Sequence, residues 1–166
     1  MATTYDYVQT TTDKVYGVGF PALSQGRIYQ MERSVNIADA CTEFGVTAFA
    51  ANDVLKCFNI AADTLVLGVY MKVTTVSAVL ADIEVGDGDN PDGYIDGATG
   101  ASLGWNAGAA TQGSSLQVDT APNAAFSLPV GGGKLYTTAD TIDFKMVTAS
   151  AADGVFRIIV ICMDLS

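Results

Sequence analysis

From Leu65 to Thr75 the odd positions read Leu65, Leu67, Val69, Met71 and Val73, while the even ones include Gly68, Lys72 and Thr74. Apolar side chains that recur at every second residue predict a strand with one buried face. The same alternation sets Ala81, Ile83 and Val85 against Asp82 and Glu84, and Ile142, Phe144 and Met146 against Asp143 and Lys145. The run from Val155 to Met163 is apolar on both faces, which predicts a central strand lying between two layers or buried at a subunit contact. Arg27 to Ser34, Leu55 to Ile60 and Lys134 to Thr137 read as shorter strands bounded by turn-forming residues. Only Ile37 to Phe44 has helical spacing, and it is long enough for a short helix at most.

This many strand signals against one short helix predict an all-β fold. Long Gly-rich connections between strands suit Greek-key crossings, so the expected architecture is a two-sheet sandwich of jelly-roll type. Two segments stand outside the pattern. Residues 1–25 are rich in Thr, Tyr and Gly with Pro21 and read as an extended N-terminal arm, leaving 26–166 as a single β-sandwich domain. Gly97 to Gly133 is a long Gly/Ala/Ser-rich loop with one charge, Asp119, and three apolar anchors, Trp105, Phe126 and Leu128. A connection of that length is expected to pack on a neighbour.

The 166 residues are 49% hydrophobic and 16% charged, a balance that folds around a core and leaves few charged groups to cover a monomer. Homo-oligomerisation follows as the expectation. Eight basic residues against 18 acidic ones give a net charge of −10, which repels phosphate backbones and anionic lipid, so neither nucleic acid nor membrane is an expected partner. Cys41, Cys57 and Cys162 are widely spaced, and no His accompanies them, so no zinc-site pattern is present and all three read as reduced core residues. The first residues have neither the basic nor the apolar region of a secretory signal, and no apolar run approaches the roughly 20 residues that a bilayer requires. The expected site of synthesis is a reducing cytoplasm.

Gly100, Ser102 and Gly104 match a serine nucleophile elbow by letter, but with no His in the chain nothing is placed to take the serine proton. Gly131-Gly-Gly-Lys134 lacks the first glycine and the hydroxyl residue of a phosphate loop, and reads as a turn feeding a strand. The segment from Val85 to Gly97 is richer in chemistry, with Asp87, Asp89, Asp92 and Asp96 on one loop after a strand. Oxygen ligands at that density form a weak calcium candidate, although EF-hand spacing fails because Ala98 stands where Glu is required. The alternative is a solvated Asx-turn loop. No catalytic set and no cofactor-binding set is identified, and the chain is expected not to be an enzyme.

Asn52-Asp-Val-Leu-Lys-Cys-Phe-Asn-Ile60, Thr64-Leu-Val-Leu-Gly-Val69 and the Ile83 to Gly97 segment, with a looser continuation from Ala152 to Leu165, resemble virion structural proteins of tailed bacteriophages, of the capsid decoration or cement kind. The resemblance implies a β-rich, often trimeric protein that sits on the capsid exterior and clamps major capsid subunits. It carries over no active-site residue. Aromatic side chains dominate interface energetics, so Tyr5, Tyr7, Tyr16, Phe20 and Trp105 are the interface candidates. The competing reading is a tail-tip or fibre-type module that recognises a host surface glycan with the help of calcium.

Overall fold

In a computed structural model, residues 2–7, 16–17, 27–77, 79–80, 82–101, 103–106, 133–148 and 151–165 are described. They form two sheets that pack face to face. The first sheet has the order β1 (Thr4–Asp6), β4 (Val54–Ile60), β10 (Asp140–Met146), β6 (Ile83–Gly86) and β7 (Ile95–Ala98). The second runs β2 (Tyr16–Gly17), β3 (Arg27–Asn36), β11 (Val155–Asp164), β5 (Thr64–Thr75) and β8 (Gly104–Asn106), and β9 (Lys134–Tyr136) also pairs with β5. The pairing of β1 with β4 is parallel, whereas the other ladders are antiparallel. The expected all-β, two-sheet sandwich is therefore the architecture found.

The inner faces share one core. Phe144 of the first sheet lies 5.1 Å, ring to ring, from Phe156 of the second. Arg33 of β3 crosses between the sheets: its guanidinium donates to the Cys57 carbonyl oxygen at 3.0 Å and lies 4.1 Å from the centre of the Tyr7 ring. A buried cation is tolerated where it is hydrogen-bonded and faces a π cloud. Cys41, Cys57 and Cys162 are buried thiols outside any disulfide, and burial pushes Cys162 up to about 12 against the opposing hydrogen bond with Tyr29.

β11 lies between β3 and β5, as its continuous apolar character predicts. Its two faces differ, however. Phe156, Ile158, Val160 and Cys162 point inward and are fully buried, while Val155, Arg157, Ile159, Ile161 and Met163 point outward and are half-buried. Sequence alternation also misplaces part of β5. A bulge sets Ile161 opposite Gly68 but Cys162 opposite Val66, which leaves Leu67 as the extra residue. One extra residue exchanges the faces on either side of it. Val66 is thus in the core with Val69, Met71 and Val73, and Leu65 and Leu67 face outward rather than inward as the odd-position rule predicts.

The helix α1 (Ile37–Phe44) forms over the span its spacing predicts. Asn36 caps it, the side-chain oxygen accepting from the backbone N–H groups of Ala38 and Asp39, and Gly45 ends it in the left-handed region at φ 67°. Two strands enter the predicted long loop, β7 running into its start and β8 lying wholly within it. β7 extends to Ala98, and β8 sits at Gly104–Asn106 against Met71–Val73. Residues 107–132 lie outside the described residues.

Candidate functional site

The acidic loop between β6 and β7 is held by its first aspartate. Asp87 directly follows β6 and is buried, and one of its carboxylate oxygens accepts from the backbone N–H groups of Asp89 at 3.1 Å and Asn90 at 3.0 Å. The other oxygen accepts from Lys134 Nζ at 2.7 Å and from the Tyr136 hydroxyl at 2.5 Å. Tyr94, fully buried, places its hydroxyl 2.7 Å from that of Tyr136. Because Tyr136 spends its proton on Asp87, Tyr94 is the donor to Tyr136. The row Tyr94–Tyr136–Asp87–Lys134 joins the loop of the first sheet to β9 of the second.

Electrostatics follow this geometry. Burial by itself pushes the Asp87 carboxyl up, and the donors Lys134, Tyr136 and the Asn90 amide outweigh it, holding the carboxyl below the usual carboxylate range. Burial likewise pushes the Tyr94 and Tyr136 phenols far up, so both stay protonated and act as donors.

The structure brings Asp87 and Asp89 together with Asp140, their oxygens within 4.8 Å of one another, whereas Asp92 and Asp96 do not belong to this group. Asp140 starts β10, and only sheet topology carries it there. The ammonium of Lys134 already lies against two of these carboxylates, at 2.7 Å from Asp87 and 3.6 Å from Asp89. A divalent ion at the same point would face that charge directly, so the donor set fits the lysine better than calcium. Lys134, Tyr94 and Tyr136 are the functional partners that sequence spacing misses.

A second acid lies beneath the same loop. Gly86 pairs with Asp143, and a Cβ at Gly86 would overlap the backbone of Asn90 and Pro91. Directly opposed residues project to the same face, so the loop roofs Asp143. Asp143 is 7% exposed, and its Oδ1 has no hydrogen-bond partner. Burial pushes this carboxyl up, against the opposing effects of Thr141 and Lys56.

The aromatic candidates fall in different places. Tyr5 is half-buried, its ring 4.9 Å from those of Phe44 and Phe49, and Tyr7 is buried beside Arg33. The backbones of Tyr16 and Trp105 lie in β2 and β8, opposite Gln30 and Lys72. Their side chains, and Phe20 entirely, lie outside the described residues. The N-terminal strand is fastened by Asp53, whose carboxylate accepts from Thr3 N at 2.7 Å and Ala50 N at 2.8 Å, and by Val54 N donating to the Thr3 carbonyl at 2.8 Å.

No protein-family description matches the chain, and no curated protein matches it in sequence. Among solved structures, a chain of the cyanophage Pam1 capsid asymmetric unit is similar with a TM-score of 0.50 and 14% identity, over 94% of this chain and 99% of that one. A chain in the capsid of Ralstonia phage GP4 gives a TM-score of 0.45 and 14% identity, over 87% of this chain and 89% of that one. At such identities the likeness to the Pam1 chain is one of fold, and it spans both sheets.

Proposed function

We propose that this chain is a non-enzymatic structural protein of a tailed-phage head, which binds the outer surface of the capsid as a decoration or cement protein and stabilises the shell. The observation that carries the reading is the end-to-end likeness of fold to a chain of the Pam1 capsid. The chemistry of the molecule agrees with it. The one dense group of ionisable side chains among the described residues is closed on itself, with the Asp87 side chain fully buried and Lys134 drawn onto it, so it serves as a tie between sheets. Partners under this reading are the major capsid protein and further copies of the chain, three in the assembly. Three linked copies turn modest contacts into a long-lived attachment. The protein is made in the host cytoplasm and comes to rest on the virion exterior.

Co-expression with the major capsid protein of the same phage tests this directly. The chain is expected to co-sediment with assembled shells and to raise the temperature at which they open. Shells that sediment free of the chain, and open at the same temperature with or without it, overturn the proposal.

A further inference from the structure

The outer face of the second sheet carries a row of apolar side chains that the core does not need. Met163 of β11 is flanked by Ile28 of β3 on one side and Leu65 of β5 on the other, and Leu65 in turn faces Leu135 of β9. These four lie on the face opposite the core, because their chain neighbours Cys162, Val66 and Tyr136 are buried. Ile28 is 51% exposed, Leu135 49% and Leu165 41%. The apolar character continues inward along β11, with Ile161 beside Gly68, and Ile159 beside Tyr70, whose ring covers the glycine.

Charge on this face departs from that of the whole chain. Its outward positions on β3, β11 and β5 include one acid, Glu32, and two bases, Arg157 and Lys72, in a protein of net charge −10. Glu32 takes a two-pronged contact from Arg157, at 2.6 and 2.7 Å. The remaining acidity is therefore displaced to other surfaces. A second copy therefore meets less like charge here than on the acidic surfaces of the described residues.

We propose that the outer face of the second sheet, centred on the Ile28–Met163–Leu65–Leu135 row, is the surface through which copies of this chain associate. The size suffices. β3, β11 and β5, of 10, 10 and 12 residues, with the 3-residue strands β8 and β9 along the other edge of β5, lie about 4.8 Å apart and present roughly 600 Å², and covering an equal area on the neighbouring copy gives about 1,200 Å², within the range of specific interfaces. Homo-oligomer contacts are more apolar than ordinary surface, as this row is. The inference rests on the preceding section only in that a shell protein of this kind assembles in several copies.

The test is the solution mass of the full chain by light scattering and sedimentation velocity. The native protein is expected to run as an oligomer, and the double variant Ile28→Glu/Leu135→Glu to fall to the 17.2 kDa of one chain with its melting cooperativity kept. Ile28→Ser/Leu135→Ser is the milder pair should the charged one fail to fold, and it is expected to weaken association at least tenfold. Val79→Glu, at an exposed position in the connection between β5 and β6, is expected to leave the mass unchanged. A monomeric native protein, or folded variants that keep the oligomer, overturns the proposal. Shell co-sedimentation is scored separately: a monomer that binds shells defeats this surface alone, and an oligomer that ignores shells defeats the capsid reading alone.

Discussion

Asp87 and Asp143 belong to neighbouring positions of the same sheet and respond to acid in opposite directions. The depressed value of Asp87 means that the folded state favours its ionised form, so its contribution is fully present above the unfolded carboxylate value and is lost as pH falls through the lower, folded one. Asp87→Asn leaves Lys134 facing a neutral group, and is expected to lower stability by about 2 kcal/mol in urea titrations at neutral pH. Pairing it with Lys134→Met should restore part of that loss, because the uncompensated cation goes with it. Asp143 works the other way. Its raised value means that the folded state holds the proton more tightly than the unfolded chain does, so the ionised carboxylate costs stability at neutral pH and the cost vanishes as pH falls through the folded value. Asp143→Asn is accordingly expected to raise the melting temperature by roughly 2–4 °C at pH 7, taking about 1 kcal/mol for the relieved desolvation. The gain should shrink in acid, and an unchanged difference between pH 7 and pH 4 would show that charge is not its cause.

At the scale of elements, period-two alternation is a local property, and it locates a strand wherever one face is apolar for several residues. β5, β6, β10 and β11 satisfy that condition, and all four lie where the pattern puts them. The bulge in β5 is not legible, since Leu65, Val66 and Leu67 are all apolar and nothing local says which of them faces water. β1, β7 and β8 are three or four residues long and owe their existence to partners far along the chain. The acidic loop was legible as a cluster, but its occupant was not: Lys134 arrives from 47 residues away, and no spacing rule encodes that distance. β1 illustrates the same dependence. Asp53 binds the Thr3 amide and the Ala50 amide, while Tyr5 leans on Phe44 and Phe49. Asp53→Ala is therefore expected to expose the amides of residues 3–7 to hydrogen exchange while the β11 amides stay protected, since the cost falls on one peripheral strand. Equal loss of protection in both would mean that the strand is integral to the cooperative core.

For the whole molecule the governing quantity is the excess of acid, −10 over 166 residues, together with the place where that excess is locally cancelled. Self-repulsion destabilises the compact state, and simple salt screens it, so the melting temperature should rise as NaCl increases from low ionic strength. Calcium tests something narrower. An ion bound only to the folded state stabilises it beyond screening, in proportion to the logarithm of its concentration. With Lys134 paired to Asp87 and Asp89 of the Asp87–Asp89–Asp140 group, the acidic cluster has its counter-charge built in, and CaCl₂ and NaCl at matched ionic strength are expected to give the same melting temperature. Lys134→Met removes that counter-charge without removing any of the three carboxylates. In this variant alone, calcium is expected to stabilise more than matched NaCl, because the divalent ion can then take the place of the ammonium. Calcium stabilisation of the native chain would instead mean that Lys134 yields the site readily, and that the loop is a ligand-responsive element rather than a fixed tie between the sheets.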